Sequence, residues 1–211
     1  NSLPLTLEIN ALDFLSEATN LNVLAYGNTF IKKNNLLSYR VQTNFVSNYY
    51  DGTTYMGNDH YIGYIADRGS IEVGQVGGFG RSAVYGRGAR ASYNIKSSKI
   101  GLTYVRSPEM FGESNNSAIE LYQSTLLKKL RVDNTVSRRW DEFRGTNSDL
   151  ANTNLSYRVL PNHNITVGGG YSIERYEDVD TTAAGYSYLL AYNGRMRNLS
   201  LSLSNFYGSD S

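Results

Sequence analysis

The sequence predicts an all-β fold, an antiparallel up-and-down barrel whose strands cross a lipid bilayer, and three observations carry that prediction. Apolar and polar residues alternate with a period of two in segment after segment, which marks strands whose two faces meet different solvents. The connections between these segments take turns between short and long. The 211 residues include 18 Tyr, 20 Gly, only 3 Pro and no Cys, at a mean hydropathy of −0.41. No apolar run is long enough for a membrane-spanning helix. Barrel strands need apolar residues only at alternate positions, so a low mean hydropathy is compatible with them.

Taken in order, the alternating segments are Leu3 to Ile9, Leu21 to Phe30, Leu37 to Tyr49, His60 to Ala66, Ile71 to Gly77, Gly88 to Ile95, Ile100 to Arg106, Leu150 to Leu160, Ile165 to Glu174, Ala183 to Tyr192 and Asn198 to Tyr207. The third shows the pattern best. Tyr39, Val41, Thr43, Phe45, Ser47 and Tyr49 share one parity, against Ser38, Arg40, Gln42, Asn44 and Asn48 on the other. Ala89, Ala91, Tyr93 and Ile95 alternate with Arg90, Ser92 and Asn94, and Leu199, Leu201 and Leu203 alternate with serines. Small polar residues on the second face suit a wet lumen, whereas the centre of a soluble barrel is filled by larger apolar side chains.

The short connections are Lys32 to Asn35, Asp67 to Ser70, Lys96 to Lys99, Pro161 to Asn164 and Asn193 to Arg197, each built from residues that tolerate tight turns. The long ones are Asn10 to Asn20, Tyr50 to Asp59, Gly78 to Arg87, Ser107 to Asp149 and Arg175 to Thr182. This rhythm is that of a bacterial outer-membrane barrel, with short turns in the periplasm and long loops outside. Tyr39 and Tyr49 stand ten residues apart on one face, which is about 25 Å along a tilted strand's membrane normal, the height of the lipid-facing band. Tyr39, Val41, Phe45, Tyr49, Tyr93, Leu199, Leu201 and Leu203 are therefore expected to face lipid. Arg40, Glu72, Arg90 and Glu174 are expected to line the lumen and to bias which ions or substrates pass. The rival reading is a secreted soluble β-sandwich used in adhesion or binding.

Residues 107–149 interrupt the rhythm as a loop, constriction or plug-like insertion. Ile119, Tyr122, Leu126, Leu127 and Leu130 recur at helical spacing after a capping box of Ser117 and Glu120, which points to a short helix; a strand pair competes. Within Pro108 to Arg144, Pro108, Glu109, Met110 and Phe111, with Arg138, Arg139 and Trp140 of the charged "VSRRWDEFRG" run, combine polar groups with apolar anchors, as an element that narrows a lumen requires. The succession "SIEVGQ", glycine-rich loop, strand, short turn, "IGLTYVRSP" and "PEMFG" resembles general diffusion porins. That resemblance implies a third loop folded into the lumen and carrying a short helix. A weaker likeness is to usher-type or other large secretion barrels, which implies protein export.

Composition and motifs exclude other classes. Twenty basic residues against nineteen acidic ones give a net charge of +1, with no basic stripe to hold nucleic acid. "GFGRSA" and "GRGARA" carry dinucleotide-type glycine spacing without the following crossover helix. His60 and His163 lie in no metal-ligand pattern, and His60 beside Asp59 is the one pairing from which a catalytic grouping would have to be built. Glu174, Glu177, Asp178 and Asp180 form an acidic run that reads as a solvated loop. No enzyme activity, cofactor or metal is expected, and the expected partner is membrane lipid. Eleven strands, or thirteen with a strand pair in 107–149, place the two ends on opposite sides of the membrane. Additional strands are then expected from further sequence, a partner chain or an unassigned segment. If "SLPLTLEIN" is a periplasmic lead-in, the count becomes even and a barrel of ten or twelve closes.

Overall fold

The computed structural model describes residues 4–12, 18–32, 34–48, 54–80, 84–108, 115–142, 144–177, 181–196 and 199–208. Alternation becomes pairing throughout. The strands are β1 (Thr6–Leu12), β2 (Ala18–Lys32), β3 (Asn35–Asn48), β4 (Thr54–Ala66), β5 (Gly69–Gly77), β6 (Tyr85–Ile95), β7 (Ser98–Pro108), β8 (Asn115–Leu127), β9 (Leu130–Asp141), β10 (Thr146–Leu160), β11 (His163–Tyr176), β12 (Thr181–Met196) and β13 (Leu199–Gly208). They form one antiparallel sheet in strict sequence order from β1 to β13. Among the described residues β1 and β13 are not hydrogen-bonded to each other.

At one end of the sheet, two residues separate each of the pairs β2/β3, β4/β5, β6/β7, β8/β9, β10/β11 and β12/β13; at the other end the separations run from four to seven residues. Lys96 and Lys128 open two of the short turns at φ 52° and 53°, the left-handed backbone that two-residue hairpins demand.

Three expectations are corrected. The helix over residues 117–130 does not form; Ser117 to Leu127 belong to β8 and Leu130 begins β9. Residues 107–149 are accordingly not one insertion but the end of β7, the hairpin β8/β9 and the start of β10. The two-sheet sandwich is replaced by a single continuous sheet. A smaller shift concerns the last turn, because Asn193 to Met196 lie within β12. The thirteen strands among the described residues are the number the sequence allows when the long link holds a strand pair.

Paired residues share a face of the sheet, so the ladder sorts side chains directly. One rung runs Tyr26, Arg40, Tyr61, Gly74, Gly88, Val105, Ala118, Arg139, Ser148 and Glu174 from β2 to β11. The adjacent rung, on the other face, runs Tyr39, Ile62, Val73, Ala89, Tyr104, Ile119, Arg138, Asp149 and Ile173 from β3 to β11. The second face exposes large apolar side chains from Leu7 and Ile9 in β1 to Leu201 and Leu203 in β13. The first is mostly polar, with Phe30, Val46, Ile65 and Leu126 toward the strand ends and a small buried cluster of Val76, Val84, Val105 and Ala118 with Tyr61 packed against it. We call the polar face the inner one, because residues from several hairpins line a shared, partly open cavity there.

Candidate functional site

The inner cluster is where the chain departs from a plain meander. β5 stays bonded to β4 only as far as the pair Tyr61 and Gly74, while β4 continues along β3 to Thr54. Gly74 has φ 113° and its Cβ would lie 1.8 Å from the His60 carbonyl oxygen, so only glycine fits there. Beyond that point β5 is paired with β6 alone, and the described part of the link after Gly77, Gly78 to Gly80 and Val84, lies over the inner face. The Gly78 N–H donates to the Val84 carbonyl at 2.7 Å, closing the link on itself. Val84 covers Val76, Val105 and Ala118, burying apolar surface that the inner face would otherwise leave wet.

Phe79 and Gly80 are fixed by the next strands along. The Phe79 N–H donates to Glu120 Oε1 at 2.5 Å and the Gly80 N–H to the same oxygen at 3.2 Å. Glu120 is fully buried under this contact. The Phe79 ring stacks on Tyr122 at 5.7 Å between centroids and 19° between planes. Arg90 and Lys99 place their charges 5.1 and 4.8 Å from the same ring centroid, within cation–π range. Glycine makes the close approach feasible. A Cβ on Gly78 would sit 2.6 Å from the Glu120 carboxylate, one on Gly80 2.3 Å from Thr135 Oγ1, and one on Gly101 2.5 Å from the Phe79 ring. A single short loop thus touches four strands, β6 to β9, from the inside.

A hydrogen-bonded row lies beside it. Tyr61 donates to Glu72 Oε2 at 2.9 Å, and Arg90 donates to the same oxygen at 2.7 Å and to the Gly77 carbonyl at 3.1 Å. Arg90 therefore holds both the end of β5 and the docked ring. Arg40 shares this face through its pairing with Tyr61, and Glu174 shares it through Ser148, accepting from Tyr176 at 3.0 Å.

The remaining predicted residues are distributed as follows. Tyr39, Val41, Phe45, Tyr93, Leu201 and Leu203 lie on the outer face, with Val41, Tyr93, Leu201 and Leu203 well exposed. Leu199 opens β13 opposite Met196, and Tyr49 lies outside the described residues. Pro108 ends β7, and Glu109, Met110 and Phe111 lie outside the described residues. Arg138, Arg139 and Trp140 fall in β9, where Arg139 is on the inner face and Arg138 on the outer. Arg138 is paired with Asp149 through bonds of 2.6 and 2.8 Å, Arg175 joins the same carboxylate at 2.7 Å, and the Arg138 charge lies 5.9 Å from the Trp140 ring centroid. Asp59 and His60 are successive on β4 and project to opposite faces, so the structure does not bring them together. His163 Nδ1 is hydrogen-bonded to the Tyr192 hydroxyl at 2.6 Å. Of the acidic run, Glu177 accepts from Asn147 at 2.7 Å, and Asp178 and Asp180 lie outside the described residues.

Compared by sequence, the chain matches no family profile and no curated protein. Compared by structure, it matches OmpT, an outer membrane protein of Vibrio cholerae, in a form lacking loop L8, with a TM-score of 0.51 and 12% identity over 97% of this chain and 94% of that one. In-vitro folded OmpT gives a TM-score of 0.54 at 12% identity, over 97% of this chain and 84% of that one. Salmonella typhi OmpF, in complex with daunomycin, gives 0.54 at 6% identity, over 96% and 87%. The fold is that of an outer-membrane β-barrel.

Sequence reasoning missed Phe79, Gly80, Val84, Glu120 and Thr135. A signal for them was present. Val76, Val105, Ala118 and Tyr122 are apolar at inward parity, which a water-filled lumen does not call for, and "GGFG" at residues 77–80 supplies a flexible link with one aromatic to cover them.

Proposed function

We propose that this chain forms a channel across the bacterial outer membrane and that the link carrying Phe79 narrows its lumen. The observation that carries this reading is the Gly78 to Gly80 segment docked on the polar face by Glu120 and Tyr122, on a sheet whose opposite face is apolar. The outer face also holds an apolar groove of about 560 Å³ lined by Tyr64, Ile71, Tyr93, Ile100, Leu102 and Leu121, which suits an acyl chain. Lipid is the partner this reading assigns, and transport rather than catalysis is the activity. In this orientation the two-residue turns lie in the periplasm and the longer links outside.

Two measurements test it. The purified chain should fold into a monodisperse, sheet-rich species only in detergent or lipid; the same species in plain buffer refutes a membrane barrel. In planar bilayers it should conduct, and deletion of residues 78–83 should raise the single-channel conductance and the size of solute admitted. An unchanged solute cutoff refutes the constriction.

A further inference from the structure

The inner face below the docked loop carries a second feature. At the end bearing the two-residue turns, residues from the β4/β5 turn round to β12 line a partly open cavity of about 940 Å³, room for about thirty waters at ~30 Å³ each. Six cationic side chains line it: Lys96, Lys99, Lys128, Lys129, Arg131 and Arg158. Two carboxylates oppose them, Asp67 and Asp133, leaving four positive charges in excess. The acidic side is also partly engaged. Asp133 accepts from Arg131 and from Tyr122, both at 2.9 Å, and Asp67 accepts from Asn34 at 3.2 Å.

We propose that this chamber makes the channel select small anions over cations. The inference rests on the channel reading. Lys99 ties the chamber to the constriction, since its ammonium lies 4.8 Å from the Phe79 ring centroid. An ion passing the narrow point therefore meets the same positive field that fills the chamber. Charges of one sign gathered around a concave, low-dielectric wall focus the field into the opening and raise the local concentration of the opposite ion. Across the chamber these charges act over distances comparable with the Debye length, about 10 Å at 0.1 M salt and about 3 Å at 1 M, so the selectivity belongs to low and physiological salt.

The experiment is the reversal potential of the full chain in planar bilayers across a potassium chloride gradient. The two ions diffuse at nearly equal rates in water, so the sign of the potential reports the wall. The unaltered channel should favour chloride several-fold at low salt, with the preference shrinking toward unity near 1 M. The triple variant Lys96→Glu, Lys129→Glu, Arg158→Glu turns the chamber net negative and should invert the sign. The neutral set Lys96→Gln, Lys129→Gln, Arg158→Gln should remove most of the preference, and it gives the same answer if the charge-reversed chain does not fold. A cation preference in the unaltered channel, or a potential that neither set moves, overturns the inference while leaving the channel standing. Absence of any current overturns the channel reading and this inference with it.

Discussion

Replacing Glu120 by alanine tests the constriction at its anchor. Glu120 accepts two backbone N–H bonds from the loop, a short one of 2.5 Å from Phe79 and a long one of 3.2 Å from Gly80. Hydrogen bonds to a charged group contribute about 1.5–3 kcal/mol each. Counting the short bond anywhere within that range and the long one well below its bottom, about 2–4 kcal/mol of the docking is lost. At 1.4 kcal/mol per decade this lowers the docked-to-undocked ratio by about 30- to 700-fold. The Phe79 and Tyr122 stack remains, worth about 0.5–1.5 kcal/mol, and so does the Val84 contact, so the loop is loosened rather than abolished. Single-channel recording should show a larger mean conductance with added fluctuation between levels, and limited proteolysis should cut within residues 78–84 faster than in the unaltered chain. Glu120→Gln, which keeps an acceptor oxygen without the charge, should fall between the two. An alanine variant with unaltered conductance and unaltered protease resistance would refute the assignment of Glu120 as the anchor.

Phe79→Ala removes the ring and leaves both backbone donors in place, so conductance should rise while the loop's protease resistance is kept; loss of that resistance as well would mean that the ring rather than Glu120 holds the loop. Val41→Arg, near the centre of β3 on the outer face, should destabilise the folded barrel by about 2–4 kcal/mol in equilibrium unfolding from lipid vesicles, and a change near zero would show that lipid does not cover this face. Gly74→Ala forces a side chain into φ 113° and against the His60 carbonyl, with an expected loss of about 1–3 kcal/mol from the backbone alone, read as a lower unfolding temperature in detergent.

The sheet was legible because each strand faces two solvents and writes both into alternate residues. Tyr39, Val41 and Phe45 against Arg40, Gln42 and Asn44 leave no other register open, since a one-residue slip would put the charge in lipid. Legibility failed where the inner face is not wet. In β8 both parities carry apolar residues, with Ile119 and Leu121 outside and Ala118 and Tyr122 inside, because the docked loop covers the inner pair. A strand that is apolar on both faces loses its period of two, and Ile119, Tyr122, Leu126, Leu127 and Leu130 then fit helical spacing by default. The charged run of β9 misled for a related reason. Arg138 stands on the outer face near the end away from the short turn, its charge answered by Asp149 on β10, a neighbour that sequence spacing does not reveal. The docking of Phe79 on Glu120 and Tyr122 joins residues some forty positions apart, and no local pattern encodes such a meeting.

Those forty positions also impose an order of assembly. Every strand of the sheet finds its partner in the next hairpin along, so the wall can be laid down one neighbour at a time with only short loops to close. The Phe79 link cannot follow that schedule. Its floor is provided by β7, β8 and β9, so it must wait until the chain two hairpins downstream has been placed. On the channel reading, the passage is therefore built wide and furnished with its narrow point afterwards, and a chain halted before β8 would have the wall around Phe79 without the anchors Glu120 and Tyr122 that hold the obstruction.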